Sequence, residues 1–230
     1  MSLEAWEPAG DPCHALLLAL LRLEQGTHDG LLEAFDRLST KVPDLAFEVP
    51  IPLFLISAGE LERARQVYDR IVERRTWETS DHMGTIASLL MLTECAARFD
   101  DPGTARAIYP ILAPHAGEYA VVAGFAGLLS PVTHALGQLC GLIGRYDEAT
   151  AYFERCIDDC RRSNLRTLLA RTQLAWARVL ARRNAPGDRR RAHTLGQEAQ
   201  RRAEKLDVPL LVADAMTFTA GLSERTLRAV

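Results

Sequence analysis

Cys156 and Cys160 stand four residues apart, with Cys140 upstream of them. On a helix that spacing puts both sulfurs on one face, where two thiolates could supply half of a tetrahedral zinc site or act as a redox pair. The same positions suit packing, because a buried thiol behaves as a small hydrophobe. The cysteines therefore read as core residues before ligands. The six histidines (His14, His28, His82, His115, His134 and His193) share no ligand-like spacing. No GxSxG elbow presents a nucleophile and no GxxxxGK[ST] loop cradles a phosphate. No catalytic residue, metal ligand or cofactor is assigned. Asp158-Asp159 beside Arg161-Arg162 reads as surface ion pairing. The run Arg189-Arg190-Arg191 opens a predicted helix, the end where the backbone dipole disfavours cations. That conflict makes it a candidate docking patch. No aromatic residues interleave with it to stack on bases, so direct nucleic-acid binding is not expected.

The elements that would position these residues are helical. Over 230 residues, 48% are hydrophobic and 25% charged, the balance of a globular chain with a sizeable core. No apolar run approaches the roughly 20 residues that span a bilayer, and no secretion signal is recognisable. Five cysteines without framework spacing argue against a disulfide-stapled secreted domain. A cytoplasmic location with no membrane partner is expected. The net charge of −3 is unevenly spread: residues 1–115 carry 10 basic and 18 acidic side chains, residues 116–230 carry 17 and 12. A basic second half could meet an acidic partner.

Periodicity predicts helices over Asp11–Gln25 and Gly30–Leu38, within the apolar stretch Val49–Ser57 starting at or after Pro50, and over Glu60–Arg75, Ile86–Phe99 and Thr104–Leu112. Further helices are predicted from Pro131 to Ile143 and over Arg145–Arg162, Leu168–Arg182, Arg189–Lys205 and Leu210–Thr219. Thr76–Met83 reads as including a loop. Tyr119–Ser130 is apolar and glycine-rich and reads as a loosely packed helix or a buried loop. No alternating run is long enough to predict a strand.

The second helices repeat. Leu31, Ala64, Ala105, Ala149 and Ala192 recur 33, 41, 44 and 43 residues apart. Four residues later stand Phe35, Tyr68, Tyr109, Phe153 and Gly196, and seven later Leu38, Ile71, Leu112, Cys156 and Ala199. Five residues before the anchors stand Gly26, Gly59, Asp100, Gly144 and Gly187, where the chain must turn. Small residues let two helices approach closely, and an aromatic fills the gap one turn on.

Leu136-Gly137, Gly144, Tyr146, Ala149 and Phe153, with Trp176 near the start of a later first helix, carry a resemblance to the tetratricopeptide-repeat family. The closing proline is absent after Cys156, the period exceeds 34 in later units, and Gly196 replaces an aromatic. The resemblance implies an all-α, right-handed superhelix of about five helix pairs. Its repeats are expected near residues 11–40, 44–76, 84–116, 131–163 and 167–206, with a capping helix at 210–220, all in one domain. The stretches IYPILAPHAG, PVTHALGQLCGLIGRYDEATAYFERCI and RTLLARTQLAWARVLARRNAPGDRRRAHTLGQEAQRRAEKLDVPLL look like the C-terminal repeat region of large bacterial signalling ATPases. These are the LuxR-type and AfsR-type transcriptional regulators and the cyclase-fused predicted ATPases. That resemblance implies a segment of a larger protein, with any ATPase or cyclase chemistry outside this chain.

In such a stack the first helices line a concave face. Pro131, His134, Gln138 and Gly141 are expected there, with Leu90, Glu94 and Ala97 in the preceding repeat and Val49, Leu53 and Ile56 before that. Two readings remain open: an open groove for a peptide or small ligand, or a tight stack in which these residues touch one another. The function expected is a non-catalytic interaction or effector-sensing domain of a transcriptional regulator or signalling ATPase. Its partner would be a protein or peptide, such as the parent chain's ATPase domain, a small effector, or a second copy of the chain. The alternative is a small-molecule-binding or enzymatic helical domain built around the apolar Tyr119–Ser130 stretch.

Overall fold

Helix-stop chemistry recurs along the chain in a computed structural model that describes residues 48–75, 77, 85–122 and 127–227. The predicted helices over 11–25 and 30–38, the first repeat and most of the Thr76–Met83 loop lie outside those residues. Among the described residues there are nine α-helices and one two-stranded sheet. The helices are α1 Pro50–Ser57, α2 Leu61–Arg74, α3 Thr85–Phe99, α4 Pro102–Leu112, α5 Val132–Leu142, α6 Tyr146–Arg162, α7 Arg166–Arg183, α8 Asp188–Lys205 and α9 Pro209–Leu227. A 3₁₀ turn, Ala113–His115, follows α4.

Gly144 adopts φ 82°, a left-handed conformation that costs a glycine little. It lets Arg145 N–H bond back to the Cys140 carbonyl at 2.8 Å, satisfying a carbonyl that the end of α5 would otherwise orphan. The same backward bond runs from Glu60 to Leu55, from Leu165 to Cys160 and from Val208 to Ala203. At the repeat's turn positions, Gly59, Asp100 and Gly187 also have positive φ. Helix starts follow equally local rules. Asp101 caps α4 by accepting from the amides of Gly103 and Thr104 at 2.9 and 3.1 Å, with Pro102 at the first helical position.

The chain divides into two compact units. One comprises residues up to Phe99 together with Tyr119–Ser130. There α1 packs on α2 and α3, and α3 packs on the sheet. Tyr68 of α2 meets Phe99 of α3 with ring centroids 5.2 Å apart, and the Arg65 guanidinium lies over both rings. The other unit comprises Asp100–Glu118 and the residues from Pro131 onward. In it each helix from α4 to α9 packs on the next, and α5 also touches α7, as α7 touches α9. The division falls between α3 and α4, so the two halves of the expected 84–116 repeat belong to different units.

Two expectations fail. Tyr119–Val122 (β1) and Gly127–Pro131 (β2) pair as strands, where a helix or loop was expected. Tyr119, Val121 and Val122 favour extended backbone. Pro131, extended at ψ 141°, disfavours helix at Ser130 before it. The last helix also runs to Leu227 rather than Thr219.

Candidate functional site

The side chains best placed for chemistry meet where α5, α6 and α7 pack. Small and apolar residues at helical spacing on α6 (Ala149, Phe153, Cys156, Ile157, Cys160) form its buried stripe. They face α5, every residue of which is buried, and α7, whose buried face includes Thr172, Leu174 and Trp176. Within this seam His134 Nδ1 lies 3.0 Å from Thr172 Oγ1, which lies 3.4 Å from Cys156 Sγ. The His134 ring meets the edge of Phe153 (centroids 6.5 Å apart, 73° between planes), and Phe153 stacks on Trp176 at 6.2 Å. The imidazole, hydroxyl and thiol therefore form one hydrogen-bonded chain walled by aromatic rings.

The two thiols of α6 are pushed apart in acidity. The neighbouring Cys160 thiol has the largest influence on Cys156 and lowers its pKa, against burial and with help from His134 and Thr172. The neighbouring Cys156 thiol first, and burial after it, hold Cys160 well above the ordinary thiol range. Elsewhere burial dominates: Cys140 is pushed up to about 12, chiefly by desolvation, and Cys95 still further.

Of the two readings left open, an open groove or a tight stack, the burial of the α5 residues fits the tight stack. His134 and Gln138 are only 5% and 7% exposed, and Pro131 and Gly141 are buried with them. The reason is the approach of α7. A Cβ at Gly141 would lie 2.4 Å from the Val179 side chain, so the two helices are in contact there. Leu90 is also buried, at 4%, while Glu94 and Ala97 on the same helix are half-buried. Val49 is buried, and Leu53 and Ile56 are half-buried. Leu90 and Glu94 belong to the first unit, His134 and Gln138 to the second.

Open depressions lie elsewhere on the second unit. One, about 490 Å³, is lined by Arg183, Gly187, Asp188, Arg190, Arg191 and Thr194 at the turn into α8. Here the conflict of three arginines at a helix start is resolved. Asp188 at the first helical position is buried, accepts from Ala185 N–H at 2.8 Å and takes two bonds from Arg183 at 2.6 and 2.8 Å. Arg183 chiefly, and Ala185 N–H after it, hold the Asp188 carboxyl below its usual range. Arg189 donates to Asn184 Oδ1 at 3.0 Å, and Arg191 lies 4.2 Å over the Trp176 ring and 3.5 Å from Glu154. Of the patch, Arg190 is the residue whose side chain is given to the depression rather than to such a partner. A second depression, lined by Asp207, Val208, Pro209, Val212 and Met216 among others, lies at the turn into α9.

Sequence reasoning missed Thr172. It lies 38 residues from His134 and 16 from Cys156, and a threonine in an apolar helix carries no local signal of such a bond. Among the described residues, no three of His, Cys, Asp or Glu converge as a metal site would require, and no helix is long and apolar enough to cross a membrane. No protein-family model matches the sequence, and no curated protein matches it either.

Proposed function

We propose that this chain is a non-catalytic scaffold of the tetratricopeptide type that docks a protein segment, serving as the regulatory module of a larger bacterial regulator or signalling ATPase. The observation that carries the reading is the recurrence of one packing unit. Ala64, Ala105, Ala149 and Ala192 are all fully buried, each five residues after a positive-φ turn residue. In the second unit the alternate helices α5, α7 and α9 touch in a row, with α6 and α8 packed between them. Each helix pair in such an arrangement buries its apolar face only against its neighbours, which is the physical basis of repeat stacking. With His134 and Gln138 enclosed, the surface left for docking is the exposed arginine end of α8, and it suits an acidic peptide.

Fluorescence anisotropy with labelled peptides of equal length tests this. Acidic peptides should bind saturably and weaken with salt, and the triple substitution Arg189→Glu, Arg190→Glu, Arg191→Glu should lower affinity at least tenfold. Indifference to peptide charge and to the triple substitution would sink the docking surface. A saturable thermal shift with a metabolite would instead favour the small-molecule reading.

A further inference from the structure

The seam of α5, α6 and α7 needs only apolar side chains to pack, yet it holds two thiols, a hydroxyl and an imidazole. Cys156, Cys160, Thr172 and His134 are all buried there. The groups facing the Cys156 sulfur are Cys160 from its own helix, Thr172 from α7 and His134 from α5. With the His134 ring donating from Nδ1, Thr172 Oγ1 accepts that bond and donates its own proton to Cys156 Sγ. The chain of donors then points at the sulfur. Donors aimed at sulfur favour the thiolate, the nucleophilic form, whereas burial alone favours the inert thiol. Cys95, fully buried on α3 and held strongly protonated by its desolvation, is the inert case within the same chain.

We propose that Cys156 and Cys160 form a peroxide-responsive dithiol, in which Cys156 is oxidised first and Cys160 resolves it to a disulfide within α6. The Cys156 thiolate attacks one peroxide oxygen, the O–O bond breaks, and hydroxide leaves and takes up the proton shed by the thiol. The product is Cys156 sulfenic acid. The Cys160 sulfur then attacks the Cys156 sulfur and expels the sulfenic oxygen as water with the Cys160 proton. In sum two thiols and one peroxide give one disulfide and two waters, and the sulfur pair loses two electrons. Access comes through the helix end. Cys160 lies in the last turn of α6, which closes through the bond from Leu165 N–H to the Cys160 carbonyl. Oxidation requires local opening of this closed turn, and peroxide is scarcely larger than water.

Oxidation has a structural consequence. Residues four apart on a helix hold their Cβ atoms roughly 5–6 Å apart, while a disulfide requires about 3.5–4.5 Å. The bond therefore unwinds the last turn of α6, withdrawing Cys156 and Cys160 from the seam that α5 and α7 share. This inference stands independently of the docking reading.

Mass spectrometric mapping of the full chain after brief hydrogen peroxide treatment, with dimedone present to trap sulfenic acid, tests it. The treated chain should lose two hydrogens between Cys156 and Cys160 and show reduced helical circular dichroism. Cys160→Ser should accumulate the dimedone adduct on Cys156. Thr172→Val, which keeps the shape and removes the hydroxyl, should slow oxidation of Cys156 several-fold and leave that of Cys95 unchanged. The comparison of Cys156 with Cys95 in the unsubstituted chain needs no variant to fold. Oxidation of Cys156 no faster than Cys95, pairing of either thiol with another cysteine, or a Cys156–Cys160 bond without loss of helix would each overturn the proposal.

Discussion

Helices α6 and α8 carry the same recurring sequence pattern and solve one packing problem in opposite ways. Four residues past its alanine anchor, α6 carries Phe153, fully buried, and the preceding helix answers with Gly137. A Cβ at Gly137 would lie 2.7 Å from the Phe153 ring. At the same offset α8 carries Gly196, and its stripe of Ala192, Gly196, Ala199 and Ala203 holds nothing large. The aromatic comes instead from the following helix. Phe218 and Thr219 of α9 lean into the space, where a Cβ at Gly196 would lie 2.8 Å from Thr219 and 3.2 Å from the Phe218 ring. Both places set a large side chain against a glycine, with different helices supplying each. Where α8 has Gly196 in place of an aromatic, Thr219 and Phe218 of α9 pack against the glycine.

Removing the filler should separate the two solutions most. Phe153→Ala vacates a ring clamped between His134 and Trp176 and should cost about 3–5 kcal/mol. Phe218→Ala, at a half-buried ring on the last described helix, should cost clearly less. Urea unfolding measures both, and equal losses would refute the contrast between the two solutions. Filling the glycine sharpens the contrast at smaller magnitude. Gly137→Ala and Gly196→Ala both overpack, typically by about 1–3 kcal/mol. The first should be the more costly, because Phe153 cannot swing away while the Phe218 end of α9 can shift. Hydrogen exchange should show the Gly196→Ala loss confined to α9, and loss of protection in α5 would contradict it.

The smallest expected effect concerns how each of the two helices starts. The first turn of α6 has exposed Glu148 against Arg145 at 3.7 Å, whereas α8 buries Asp188 against Arg183. Asp188→Asn should cost about 1–3 kcal/mol at pH 7, and Glu148→Gln almost nothing. The folded-state pKa of Asp188 lies below its unfolded value of about 3.9. Its stabilisation is therefore present above that value and lost as pH falls through the lower, folded one. The gap between parent and Asp188→Asn stability should narrow only below about pH 4. A gap that persists unchanged at lower pH would show that the carboxylate charge is not what stabilises the turn.

Much of this was legible because it is local. The anchors Ala64, Ala105, Ala149 and Ala192 were found by period alone, and all are buried. The turn residues five positions earlier all carry positive φ, because a short helix-to-helix turn needs a left-handed residue and glycine takes that conformation readily. Cys156 and Cys160 were read as core residues, and they are buried. The strand pair was missed because four or five residues of extended backbone beside a glycine-rich stretch offer too short a pattern. Helical spacing puts His134 and Gln138 on a concave face but leaves an open groove and a tight stack equally open. How far α7 would close on α5 depends on Val179 meeting Gly141, two positions with no local relation.

By itself, then, the sequence determined where the described helices other than the end of the last start and stop, to within about two residues, which face of each is apolar, and the interval at which the unit recurs. Hydrogen-bond caps, turn conformations and amphipathic spacing act within a few residues of one another. Only the tertiary structure decided how near successive helices come, that Thr219 and Phe218 pack against Gly196, and that His134, Thr172 and Cys156 join hands. Those outcomes are set by volume and contact between residues tens of positions apart, where a single Cβ or hydroxyl decides whether a space is a groove, a packed seam or a hydrogen bond.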